Sequence, residues 1–362
     1  MHKLDWYILK KFFVTFFFCM FLFTLIAVAV DSSEKTDDFV KSGLTTSQII
    51  TEYYFGFVPY IWGLLFPLFV FIAVIFFTSR MAARSEVIAI LASGVSYNRF
   101  LRPYFIGGFV LALLLWYAGR YVIPKAQEIR STFQSKYIDP FGVKSGRDPS
   151  LPIYKRADPS TYVGFRYYDT TSKSASGFYL ERVKDNKVVY NLRADYMKWD
   201  TATKNWKLTN ATERYINGLH ETVKERRELH LNLHMKPEDL QDDEYLKDKL
   251  STPRLRKYIK MEELRGSEGL NTLRVELYRR TATPITVLLL TLIGVVVSSR
   301  KVRGGSGLHL AIGIVIAVLF ILCDRFSTVF SIKGDFPPVI AAWLPDVVFG
   351  GVAYWLYRMA PK

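Results

Sequence analysis

Five uncharged, mostly apolar runs interrupt the chain at 12–30, 53–79, 103–119, 281–299 and 304–323, and a sixth at 337–357 is broken only by Asp346. Each is close to the roughly 20 residues that carry a helix across a bilayer. In hydrocarbon the backbone has to satisfy its own hydrogen bonds, so runs of this length are predicted to be membrane-spanning helices. The expected class is an α-helical polytopic membrane protein with six transmembrane helices.

Charge orients these spans. The formal net charge is +15, from 48 Lys and Arg against 33 Asp and Glu. Such a balance is compatible with nucleic acid, but many of the basic residues flank the spans, which the positive-inside rule explains without any nucleic-acid partner. Lys3, Lys10 and Lys11 precede the first span; Arg80, Arg84, Arg99 and Arg102 lie between the second and third; Arg300, Lys301 and Arg303 lie between the fourth and fifth; Arg358 and Lys362 follow the sixth. Six crossings put all of these on one side, predicted to be the cytoplasm, together with both termini. The first opposite loop agrees, because Asp31, Glu34, Asp37 and Asp38 outweigh Lys35 and Lys41. The first span lacks a small-residue cleavage site and is expected to stay as an anchor. Cys19 and Cys323 both fall in spans, so no disulfide framework is expected.

Between the third and fourth spans the pattern changes from long apolar runs to short β-rich ones. Segments 162–168, 177–183, 188–199, 206–215 and 221–233 often alternate in polarity and are separated by turn signals such as Asp185-Asn186. They predict an inserted antiparallel β domain, either a sandwich or an open barrel. It could hold a closed core or present an apolar groove. The expected division is 1–123 for three spans, 124–273 for the β domain with a connecting helix over 253–264, and 274–362 for the last three spans.

No sequence signal for catalysis is present. There is no P-loop, no G-x-S-x-G elbow and no ligand-spaced Cys/His set, and the glycines at 304–307 lack the Lys-Ser/Thr that a phosphate loop requires. His230 and His234 alternate with leucines, as on a strand, where they stand about 13 Å apart and cannot share a metal. The chain is therefore expected to be no enzyme, to bind no metal or cofactor of its own, and to take any nucleotide energy from another subunit.

Two sets of residues remain. The stretch 79–102 is a short basic connection patterned as an amphipathic helix over 79–94, with Val87, Ile88, Leu91 and Val95 on or near the apolar face and Arg84 and Glu86 at its edge. Gly94 is placed for a left-handed helix end, and Ser96 to cap the next helix. Such a helix either lies on headgroups or docks a partner. The second set is Asp324, Arg325 and Asp346, charges inside spans that are expected to face a cavity or one another, with Arg325 paired to Asp346.

The chain resembles the LptF/LptG lipopolysaccharide-export permease family. The likeness runs through LDWYILKKF at 4–12, RSEVIAILASGVS at 84–96, ADYMKWDTATKNWKL at 194–208, ELYRRTATP at 276–284, RGGSG at 303–307 and FPPVIAAWLP at 336–345, and is nearer the LptG branch. It implies a permease subunit of an ABC transporter in the bacterial inner membrane, with a periplasmic β-jellyroll-like domain. It further implies lipopolysaccharide as substrate and a homodimeric cytoplasmic ATPase (LptB-like) that uses ATP and Mg. The other implied partners are a second permease (LptF-like), a single-span LptC-like protein and a periplasmic LptA-like bridge. By this resemblance Arg84, Glu86, Ile90, Leu91 and Gly94 are candidates for coupling to the ATPase. Phe17, Phe21, Lys35, Lys41, Arg279, Arg280, Asp324 and Arg325 are candidates for the wall and rim of a lipid cavity. The chain departs from the LptG pattern in having no basic residue within 12–30, so Lys35 and Lys41 are the nearest substitutes. The alternatives left open are a mechanotransmitting ABC subunit and a membrane-anchored β domain that binds peptide or glycan.

Overall fold

The computed structural model describes residues 3–138, 153–169, 172–233, 235–237, 246–267, 269–300, 305–334 and 336–360. His234, the acidic stretch 238–245, residues 301–304 of the glycine-rich turn and Lys362 lie outside them. The chain divides into two compact units, one formed by Met1–Ile138, Lys247–Leu255 and Asn271–Lys362, the other by Asp139–Leu246 and Arg256–Leu270.

The first unit is helical. It begins with α1 (Lys3–Glu34), α2 (Thr36–Ser42), α3 (Thr46–Ile49), α4 (Phe55–Ala83), α5 (Glu86–Ala92), α6 (Tyr97–Tyr117) and α7 (Ile123–Phe133). Its later helices are α8 (Leu246–Lys249), α10 (Asn271–Ser298), α11 (Gly305–Lys333) and α12 (Pro338–Arg358), and α9 (Thr252–Arg265) begins in it and continues into the second unit. Among the described residues, six helices are long and apolar enough to cross a membrane.

The third is longer than its uncharged run, because a π-turn at Ala118–Val122 joins α6 to α7 and helix continues to Ile138. Pro124 is tolerated near the start of α7, where its missing N–H has little to lose. The side chains of Ala126, Gln127 and Phe133 are buried. Gly56 allows this packing: a Cβ there would lie 2.5 Å from the Ala126 carbonyl oxygen and 2.7 Å from the Arg130 amide nitrogen.

The helical core gathers on α4 and α10. Phe66, Phe69, Val70 and Val74 from α4 meet Val287, Val295 and Val296 from α10, while Phe12 and Phe16 of α1 and Phe100 and Tyr104 of α6 close the cluster. In lipid such packing is held by close van der Waals contact rather than by exclusion of water.

Among its described residues the second unit carries seven antiparallel strands: β1 (Ile153–Asp158), β2 (Thr161–Phe165), β3 (Tyr167–Asp169), β4 (Ser174–Lys184), β5 (Lys187–Asp200), β6 (Asn205–Asn217) and β7 (His220–Leu231). They are hydrogen-bonded in the order β1-β2-β4-β5-β6-β7, with β3 beside β4. Asp185 and Asn186 both take positive φ in the β4–β5 hairpin, the backbone a tight primed turn requires. Val163, Phe165, Leu180, Leu192, Trp206 and Leu208 bury one side of the sheet. His230 is exposed on β7 opposite Lys207, as its alternation implies. The helix expected over 253–264 is α9, ended by Gly266 in the left-handed region.

Candidate functional site

At one end of the helical unit, the amphipathic stretch is interrupted where the sequence suggested continuity. Residues 79–83 are the last turn of α4, Ser85 sits at φ 61°, and α5 has seven residues. Val87 turns inward, whereas Ile88 is 49% exposed, and Ile90 and Leu91 are half-buried. The reason is geometric: adjacent helical residues differ by about 100° in direction, so Val87 enters the bundle and Ile88 turns away, while Ile90 and Leu91 both pack partly against it. Gly94 takes the left-handed conformation, at φ 86°, and Ser96 occupies the N-cap position of α6 without a side-chain cap bond. Arg84 is exposed.

Glu86 meets the first span. Its Oε2 accepts from Tyr7 Oη at 2.9 Å and from Lys11 Nζ at 3.2 Å; Lys11 also bonds Tyr7. Arg99 of α6 donates to the buried Asp5 of α1 at 2.7 Å. Both contacts join α1 to the segment around α5, and neither Tyr7 nor Lys11 was identified from sequence as a partner of Glu86. Residues 75 and 79 positions apart carry no local periodicity that would have signalled it.

The other end of the unit gathers charge around α1 and α7. Lys35 Nζ lies 2.5 Å from Asp31 Oδ1 and bonds Tyr53 Oη, while Tyr53 donates to the same carboxylate oxygen at 3.0 Å. Arg130, absent from the sequence-based candidates, stacks 4.2 Å over the Tyr60 ring. Its signal was the burial period of 124–133, masked in sequence by the charges within that stretch. Lys41 is exposed in α2 and takes no part in this cluster among the described residues.

Arg279 donates to both Asp324 carboxylate oxygens, at 2.9 and 2.8 Å, and to Thr328 Oγ1 at 2.7 Å. Arg280 is held by Glu276 and by the carbonyls of Leu250 and Lys247, which fastens α8 to α10. The expected Arg325–Asp346 pair is not formed among the described residues. Asp346 accepts from Thr286 at 2.7 Å instead. Adjacent helical residues differ by about 100° in direction, so when Asp324 and Thr328 face Arg279, Arg325 points elsewhere. Asp324, Arg325, Arg279 and Arg280 nevertheless line one cavity with Asp346.

Phe17 and Phe21 are 49% and 63% exposed, one turn apart on α1, while Phe12 and Phe16 are buried. Thus the phenylalanine-rich helix has a packed face and an open one. Ile314, Val315, Leu319 and Phe326 make a similar open face on α11. No group of three or more His, Cys, Asp or Glu residues among those described is arranged to hold a metal.

No curated protein matches the chain. The family described as Lipopolysaccharide export system permease LptF/LptG matches residues 6–359, covering all six spans and the inserted sheet. The chain belongs to the LptF/LptG family of lipopolysaccharide export permeases, multi-pass inner-membrane transport subunits.

Proposed function

We propose that this chain is the permease subunit of an ABC transporter that extracts lipopolysaccharide from the inner membrane and passes it toward a periplasmic bridge. A separate homodimeric ATPase supplies the energy through α5, on the cytoplasmic side, and the β domain is periplasmic. The observation that carries the reading is Glu86, which sits on a short surface helix beside exposed Ile88 and is bonded to the first span through Tyr7 and Lys11. A push on α5 is thereby delivered to α1, whose Phe17 and Phe21 face outward.

The open faces of α1 and α11 suit a second permease, the two chains enclosing a cavity wide enough for a multi-acyl lipid. Lys35 and Arg130 supply cations at the far rim for anionic headgroups. A single-span partner fits at the same flanks. The LptG-like assignment of this chain, rather than LptF-like, belongs to the same proposal.

Native mass spectrometry of the complex purified from its own membrane tests the docking. The expected wild-type assembly contains two ATPase copies and a second permease. Glu86→Lys or Ile88→Asp is expected to lose the ATPase while keeping the second permease. Full ATPase occupancy in both variants contradicts α5 as the docking element.

A further inference from the structure

A cavity of about 590 Å³ lies within the helical unit, bounded by α4, α10, α11 and α12 and by the turns around α7 and α8. That volume is in the range of roughly 300–1,000 Å³ seen for small-ligand sites and too small for an entire multi-acyl lipid. Leu64, Leu68, Leu290 and Phe320 give it apolar walls.

Lys247 and Asp248 stand at its α8 edge, and the charges on α10, α11 and α12 sort into used and unused. Arg279 is taken by Asp324, and Arg280 by Glu276 and backbone carbonyls. Asp346 is only 8% exposed; Thr286 satisfies one carboxylate oxygen, and Oδ2 has no partner among the described residues. Arg325, on the neighbouring helix, makes no ion pair or hydrogen bond among the described residues and lines the same cavity. A buried carboxylate oxygen without a donor is costly, and so is an unpaired guanidinium within a membrane span. One ligand answers both if it carries an N–H cation and an anion on an apolar tail.

A bare divalent metal fits poorly, since such ions take several oxygen ligands and no group of three or more His, Cys, Asp or Glu among the described residues is arranged to hold one. A quaternary ammonium has no N–H to give Asp346 Oδ2. A primary ammonium has three, and a phosphodiester suits the planar fork of Arg325. We propose that this cavity binds the head of a zwitterionic aminophospholipid, its ammonium donating to Asp346 and its phosphate held by Arg325, as a resident lipid distinct from the exported cargo.

The test uses the full chain, stripped of lipid in detergent and titrated with dioleoyl phosphatidylethanolamine, phosphatidylcholine or phosphatidylglycerol, with bound lipid read by native mass spectrometry. One phosphatidylethanolamine per chain is expected, at least tenfold tighter than either other lipid. Asp346→Asn should erase the preference over phosphatidylcholine, and Arg325→Gln should weaken both lipids alike; circular dichroism reports whether each variant is folded. Equal wild-type binding of phosphatidylethanolamine and phosphatidylcholine overturns the ammonium contact whatever the variants do. Equal binding of phosphatidylglycerol reduces the site to an anion site and also overturns the proposal. Displacement of the bound lipid by stoichiometric lipopolysaccharide would make the cavity part of the cargo path and overturn residency. None of these outcomes depends on an ATPase, so they stand apart from the test of α5 docking.

Discussion

The fourth and first spans are both apolar helices of about thirty residues, yet they are built for different surroundings. On α10, Ala282, Val287, Leu290, Ile293 and Val295 are buried, and the helix packs against α4, α6, α11 and α12. On α1 a buried line through Ile8, Phe12 and Phe16 is set against an open face that includes Phe17, Phe18, Phe21 and Leu25. The fifth span resembles the first in this respect. A hydropathy profile treats all three alike, because lipid and protein interior are both apolar. The difference lies in what each face touches: α10 is scaffold, whereas α1 and α11 are flanks with surface left for lipid or another chain.

Alanine substitutions on the two faces of α1 should separate most widely. Phe12→Ala removes a ring packed against Phe77 and Tyr104 and is expected to cost about 3–5 kcal/mol in the isolated chain. Phe17→Ala is expected to cost less than about 1 kcal/mol, since its open side has nothing to lose in that state. Thermal or denaturant unfolding in nanodiscs measures both; equal losses would mean that α1 has no distinct faces.

Much of this architecture was legible in sequence because long uncharged runs and two-residue alternation are local signals. They located six spans and the inserted sheet, and Gly94 announced its left-handed turn. The break at Ser85 was not legible, because no glycine marks that positive φ. Nor was Arg130 found, since helix 97–138 continues past the uncharged run through a π-turn. The side-chain partners were least visible of all. The expected partner of Asp346 was Arg325, whereas Asp324 takes Arg279 and Asp346 takes Thr286; that choice depends on helix rotation, which a list of charges does not contain.

A smaller effect tests how α8 is fastened to the scaffold. Asp248 has its pKa pushed up to about 6, chiefly by burial and then by Glu276, with Lys247, Arg280 and Arg130 acting in the opposite direction. The folded chain therefore holds a proton that the unfolded chain releases near the ordinary value of 3.8. Stability from this group is greatest below about pH 4, falls as pH rises toward 6, and stays lower above it. The loss is about 1–2 kcal/mol after allowance for solvent screening. Asp248→Asn should raise the unfolding midpoint at pH 7.5 and leave it nearly unchanged at pH 4; an equal shift at both values would exclude Asp248 titration as the cause.

The contrast between flank and scaffold is tested most directly by photo-crosslinking in living cells, with p-benzoylphenylalanine replacing Phe21 on α1 or Leu290 on α10. Phe21 is 63% exposed and Leu290 is 3% exposed. The export-permease account predicts lipopolysaccharide and second-permease adducts at position 21 and neither at position 290. A folded, membrane-inserted Phe21 variant that captures neither, or equal capture at both positions, would contradict it.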